Sequence, residues 1–284
     1  MTVGIVTDSS CDLGDEELDG LGVEIVPLFI RFGTDEFVDR EQISVEDFYR
    51  RMATVDELPQ TAAPPPGRFQ QAITGFLDAG CEAVLCINLS AAISATMQSA
   101  VQAADAIRAE RAGADVRVLD SKSVTAGLGT IVLQAARMAA DGDDADADTI
   151  EAFVADASAR THVFGTLDTL ENLRKGGRIG GAQAMLGSML SIKPIVDISS
   201  GEVQEAAKQR TRRKALGWLR DTVQAAGPVE CLAVMHGEAA DVGDFCDMLA
   251  AVHDGDIRVS KVGPVVGTHA GQGVLGVAYQ IPAA

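Results

Sequence analysis

The chain has 284 residues, 47% of them apolar and 23% charged, a balance that leaves ample material for a buried core. Its formal net charge of -18 argues against nucleic acid, where Lys and Arg neutralise phosphates, and against an anionic membrane surface. The five cysteines (Cys11, Cys81, Cys86, Cys231 and Cys246) are odd in number and lack paired spacing, which excludes a disulfide framework and a zinc knuckle.

No run of about 18 apolar residues offers a membrane span. The N-terminus enters a strand directly, without the charged segment and apolar core of a leader, so a cytoplasmic location is the default expectation. That first strand, residues 3–6, ends at Thr7-Asp8-Ser9-Ser10, small polar residues that either meet a ligand or cap the next turn. Residues 23–32, β-branched and aromatic, predict the next strand. Ser44 opens a helix with Phe48, Met52 and Val55 on one face.

Residues 58–67 contain four prolines and predict a stiff extended loop whose one hydroxyl is Thr61. A helix carrying Phe69, Ile73 and Phe76 follows, and residues 83–87 read as a strand buried on both faces. The chain then passes Ser94 and Thr96 into a long Ala-rich helix. Hydroxyls and free N–H groups at such a start suit a carboxylate or phosphate, or merely cap the helix. A strand at 116–119 and a helix at 124–140 complete a series of β-loop-α units, which predicts a mostly parallel sheet covered by helices.

The acidic run 141–148 reads as a solvated linker, with Thr149 capping the helix beyond it. A boundary after that helix gives two α/β domains, residues 1–159 and 160–284. The second opens with a strand at 162–166 and a short helix carrying Leu170 and Leu173, which stops at Gly176-Gly177. Arg174, Lys175 and Arg178 surround these glycines, a local reversal of charge in an acidic chain. Residues 182–190 predict a helix with Met185, Leu186, Met189 and Leu190 on a wide apolar face. Two strand-like runs flank Ser199-Ser200-Gly201-Glu202, a hairpin pattern that makes the second sheet mixed.

Lys208, Arg210, Arg212, Arg213 and Lys214 form either a solvated helix entrance or a docking patch for an acidic or phosphate-bearing partner. A strand at 231–235, a helix around Phe245 and Leu249, and a strand from 257 to 262 follow. Residues 263–273 read as a tight loop holding Thr268 and His269, before a last strand at 274–281. His269, set among glycines, a proline and a threonine, is either structural or a ligand group. His162, His236 and His253 share no metal-ligand spacing, so neither metal nor cofactor is expected. The chain lacks a Walker-type phosphate loop and a Gly-x-Ser-x-Gly nucleophile elbow.

Four segments in this order resemble the DegV family, bacterial fatty-acid-binding subunits that work with a fatty acid kinase. They are Thr7-Asp8-Ser9-Ser10; Asp120-Ser121-Lys122; Lys175-Gly176-Gly177-Arg178-Ile179 with Ser191-Ile192-Lys193-Pro194; and Gly263-Pro264-Val265-Val266-Gly267-Thr268-His269. Two departures stand out. The family's Thr-Ser-Gln-Pro-Ser loop is here Thr61-Ala62-Ala63-Pro64-Pro65, and its Gly-Leu-Ser-Gly-Thr segment is Ala92-Ile93-Ser94-Ala95-Thr96.

The resemblance implies a long-chain fatty acid in an apolar tunnel between or beside the two domains. Its carboxylate would be held by Thr61 and Ser94 with His269 nearby, supported by Asp8, Ser9, Thr96 and Thr268. Arg178, Arg210 and Arg212 would face a partner kinase, with Arg178 at the rim. The chain would then present substrate for acyl-phosphate formation and phospholipid synthesis without turnover of its own. An acyl hydrolase or phosphotransfer protein using Ser94, Asp8 or His269 is the alternative. Burial energy suits the first reading, because about 15 methylenes at ~0.8 kcal/mol each gross on the order of 12 kcal/mol, from which association entropy takes several.

Overall fold

The computed structural model describes residues 2–55, 57–141, 145–188 and 192–283. Strand β1 (Val3–Asp8) is buried throughout, and the chain runs on through a 3-10 turn and helix α1 (Asp15–Leu18) to β2 (Val23–Val26). A hairpin of β3 (Phe29–Phe32) and β4 (Asp35–Val38) follows. Helix α2 (Val45–Met52) starts at Ser44, whose Oγ accepts the Asp47 N–H at 3.1 Å. Next come β5 (Gln60–Ala62), α3 (Pro66–Asp78), β6 (Ala83–Asn88), α4 (Thr96–Glu110), β7 (Asp115–Asp120), α5 (Thr125–Asp141) and α6 (Ala147–Arg160).

β1, β2, β6 and β7 form an all-parallel sheet in the order β2-β1-β6-β7. Alternate side chains of one strand feed opposite faces. Val3, Ile5, Leu85 and Ile87 pack with Leu128, Ile131 and Ile150 of α5 and α6. Val6, Val84 and Cys86 pack with Phe69 and Ile73 of α3 and Ala100 and Ile107 of α4. Burial on both faces is why these strands read as continuous apolar runs.

The second domain holds β8 (Thr161–Thr166), α7 (Glu171–Lys175), a 3-10 stretch (Gly180–Ser188), β9 (Lys193–Asp197), β10 (Gln204–Gln209), α8 (Arg212–Ala226) and β11 (Glu230–His236). It continues through α9 (Val242–Ala250), β12 (Arg258–Lys261), α10 (Pro264–Ala270) and β13 (Leu275–Gln280). Its sheet, ordered β10-β9-β8-β13-β11-β12, is antiparallel except for the parallel pair β11/β12. One face packs on α8 and α9 through Leu219, Phe245, Val234 and Val277. The other face, with Val163, Val196, Met235 and Ala278, turns toward α5 and the first domain.

Four expectations from the sequence are corrected. The single strand at 23–32 is two strands in different sheets: Pro27, which has no N–H for a ladder, stands between β2 and β3. β3 joins β4 and β5 in a third, antiparallel sheet ordered β4-β3-β5. Helix α6 is capped by Asp146, which accepts the Thr149 N–H at 2.8 Å, and Thr149 lies inside the helix. The 182–190 helix is a 3-10 stretch that begins at Gly180-Gly181, with Met189 and Leu190 outside the described residues. Finally, 263–273 is not all loop, because Pro264 starts α10 at its first position, where a missing N–H is harmless.

Candidate functional site

The inner face of the six-stranded sheet, the β3/β5 edge and the loop before α4 enclose a cavity of about 140 Å³. A space of ~10–15 Å³ already admits one water, so this is far more than a packing defect. Its walls are apolar, with Leu28, Leu89, Val163, Val196, Met235 and Val266 among them. The polar residues on the lining, among the described residues, are Thr61, Ser94, Thr125, Arg178 and His269.

Thr61 sits at the centre of β5, where the pleat turns it inward while Gln60 and Ala62 face solvent. Its Oγ1 lies 3.0 Å from His269 Nε2, a hydrogen bond whose donor depends on the imidazole tautomer. α10 carries His269 into the wall. Burial, with Arg178 nearby as a smaller influence, lowers the imidazole pKa to about 4, so the ring is neutral at pH 7. Its buried Nδ1 has no hydrogen-bond partner among the described residues.

The Gly176-Gly177 pair explains that ring's position. A Cβ on Gly176 would lie 2.3 Å from His269 Nδ1, so only a glycine lets the turn close against the imidazole. Gly177 serves a different purpose, with φ +72° in the left-handed region that ends α7 and open space around it. The next residue, Arg178, donates from Nε to the Ile93 carbonyl at 3.2 Å and from Nη1 to the Gly176 carbonyl at 2.8 Å. It is the one Lys or Arg among the described lining residues. It was expected at the rim facing a partner; half-buried, it belongs to the cavity wall as well.

Ser94 lines the cavity and also acts locally, since its Oγ accepts the Thr96 N–H at 3.2 Å and lies 2.9 Å from Thr96 Oγ1. The cap reading is corrected, because Ala95 holds the N-cap position without a side-chain bond and Ser94 reaches the first helical N–H from one residue before it. Thr61, Arg178 and His269 also border an outer cleft lined by Gln60, Asn172, Lys175 and Thr268, so they stand between the apolar interior and the outside.

Other residues singled out in the sequence fall elsewhere. Asp8 is fully buried and accepts from Ser10, Asn88 and the Leu89 N–H, which ties β1 to the loop after β6. Burial pushes its carboxyl above the usual range. Ser9 Oγ accepts the Leu28 N–H, and Thr268 Oγ1 donates to the Pro264 carbonyl. Neither Asp8 nor Ser9 reaches the cavity. Arg212 makes a two-pronged ion pair with Asp241 and donates to the Gly273 carbonyl, so it braces the second domain and is not free to dock. Arg210, Arg213 and Lys214 remain exposed.

The site offers neutral hydrogen-bonding groups and one guanidinium at the mouth of an apolar volume. Among the described lining residues Ser94 pairs with Thr96, and the hydroxyl that meets His269 is that of Thr61. No group of three or more His, Cys, Asp or Glu suited to a metal occurs among the described residues. No helix among them is long and apolar enough to cross a membrane.

A DegV domain-containing protein of Deinococcus radiodurans is 35% identical over 288 residues, covering 99% of each chain. A solved DegV family protein from Thermus thermophilus, described as binding fatty acid, superposes with a TM-score of 0.90 at 27% identity, covering 99% of this chain and all of that one. DegV from Bacillus subtilis, described as a fatty acid binding protein, gives 0.85 at 27% identity with the same coverage. The family profile described as "Uncharacterised protein, DegV family" matches residues 2–281, nearly the whole length, so the chain belongs to the DegV family.

Proposed function

We propose that the protein binds a long-chain fatty acid, with the acyl chain in the apolar cavity and the carboxylate at Thr61, Ser94, His269 and Arg178. The observation that carries this reading is the segregation of the lining: apolar side chains enclose the volume, and three of its polar residues, Thr61, Arg178 and His269, also border the outer cleft. The Thermus thermophilus and Bacillus subtilis relatives, described as fatty-acid binding, support it. A neutral His269 suits the role, because it donates a hydrogen bond without adding a second buried cation beside Arg178. Tail burial supplies affinity, and the polar groups fix orientation.

The protein works as a substrate-presenting subunit, without turnover of its own, whose outer cleft gives a partner kinase access to the carboxylate for acyl-phosphate formation. Arg210, Arg213 and Lys214 supply the exposed docking charge. The reading takes residues 1–159 and 160–284 as the two domains, a division that falls in the last turn of α6, just before β8 begins at Thr161. Organic extraction and mass spectrometry of the purified protein test the binding role. Fatty acid recovered in near-stoichiometric amount is expected; no lipid on extraction and no binding on titration would sink it. Acyl-ester hydrolysis by the protein alone would favour the enzymatic alternative instead.

A further inference from the structure

Among the cavity's polar lining residues, Thr125 does not border the outer cleft that Thr61, Arg178 and His269 share. It opens α5 with φ +49°, a left-handed conformation that is an outlier for a β-branched residue. Such strain persists only where the surroundings over-determine it. Here the conformation accompanies one specific contact across the two domains: Thr125 Oγ1 donates to Met235 Sδ of β11 at 2.8 Å. On its other side the Met235 methyl lies 2.9 Å from the position a Cβ on Gly276 would take, so it is seated over bare backbone. Met235 is 4% exposed, and Thr125, Met235, Gly165 and Gly276 all line the cavity.

Methionine has an adaptable side chain, with three rotatable bonds about a soft sulfur. Held by a hydroxyl at the sulfur and seated on a glycine at the methyl, Met235 loses that freedom and becomes a fixed wall. The hydroxyl that holds it also has its donor satisfied there, which leaves this part of the cavity apolar. Thr125 comes from the start of α5 and Met235 from β11, whereas the headgroup cluster comes from β5, α10, the loop before α4 and the turn after α7.

We infer that Met235, fixed by the Thr125 hydroxyl and Gly276, is the stop that sets the length of acyl chain the cavity accepts. This rests on the fatty-acid reading above. Each methylene that finds room is worth about four-fold in affinity, and one that meets a fixed wall is worth nothing or less. Truncation of Met235 to alanine removes Cγ, Sδ and Cε and opens room for about two to three more carbons.

The test uses delipidated parent, Met235→Ala, Met235→Leu and Thr125→Val proteins, each offered an equimolar mixture of saturated acids of about 12 to 20 carbons, with bound acids read by mass spectrometry. Met235→Ala is expected to move the preferred length up by about two to three carbons, so that an acid two carbons past the parent optimum gains roughly fifteen-fold relative to it. Met235→Leu, close in volume, moves it by about one carbon or less. Thr125→Val keeps the shape and the backbone preference but releases the sulfur, and the distribution broadens. A folded, loaded Met235→Ala protein with the parent's profile overturns the stop. If that variant does not fold, a Thr125→Val profile as narrow as the parent's overturns it equally. A parent that binds none of the acids overturns the fatty-acid reading itself, and the stop with it.

Discussion

Gly176→Ala separates two adjacent glycines by physical cause. At Gly176 the backbone is right-handed, with φ -75°, so alanine is conformationally welcome there. The objection is steric: the new Cβ lies 2.3 Å from His269 Nδ1 and 2.8 Å from Cε1. Ordinary carbon contacts need about 3.5 Å or more, so the ring must retreat by about 1 Å. It cannot do so and keep the 3.0 Å contact to Thr61. Overpacking of this kind costs about 1–3 kcal/mol of stability. A displaced headgroup hydrogen bond weakens binding by about 1 kcal/mol, or roughly five-fold. Gly177→Ala is the matched control, because its φ of +72° makes alanine strained while the surrounding space is open. It should lose about 1–2 kcal/mol of stability and leave affinity alone. Urea denaturation gives the first quantity and displacement of a fluorescent fatty acid the second. Unchanged affinity in Gly176→Ala, or an equal loss in Gly177→Ala, would refute the reasoning.

Thr61→Val removes the partner of His269 Nε2 and one headgroup group together, so affinity should fall by about 1–2 kcal/mol, read by calorimetric titration. His269 titrates at about 4 in the fold against 6.5 as its ordinary value. The unfolded chain therefore binds the proton first, and this residue's contribution to stability, full above about pH 6.5, is lost as the pH falls toward 4, by up to about 3 kcal/mol. Buried Asp8, Asp12 and Asp39 are shifted upward and give the opposite slope. The measurement is thus the urea midpoint of parent minus His269→Asn between pH 7 and 4, and a flat difference would contradict it. Arg212→Ala, which strands Asp241, should cost about 1–3 kcal/mol in the same denaturation assay. Exposed Arg210→Glu should spare both stability and lipid affinity and reduce only acyl-phosphate formation in the presence of a kinase.

Much of the architecture was legible because local chemistry and global fold agree. The apolar runs that open strands β1 and β6, the Ser44 cap and the turn at Ser199-Ser200-Gly201-Glu202 each announce their structure within a few residues. Pro27 and Pro264 carried information that the pattern around them obscured, one as a break between sheets and the other as the first residue of a helix. Thr61, Ser94 and His269, distant in sequence, were singled out through the family resemblance and a hydroxyl at a helix start, and the fold brings all three to one cavity. The fate of each cation was not legible. Nothing in the residues around Arg178, Arg210 and Arg212 says which folds inward, because their partners Ile93, Gly273 and Asp241 are supplied by tertiary structure. Thr125 and Met235 were passed over for the same reason: their contact spans 110 residues and leaves no local pattern.

The position of β13 has a consequence for synthesis. The parallel sheet is complete once residue 120 has emerged, because its strands all lie in the first part of the chain. In the six-stranded sheet, by contrast, β13 lies in the middle, between β8 and β11. Until residues 275–280 leave the ribosome, β8 and β11 have no neighbour to join them, and the cavity has no Gly276 beneath it. A nascent chain therefore passes through a period with one finished domain and a second whose two halves are held apart, the long-range pairing that folds late and exposes apolar edges. The cavity is complete only once β13 has been threaded through the centre of that sheet.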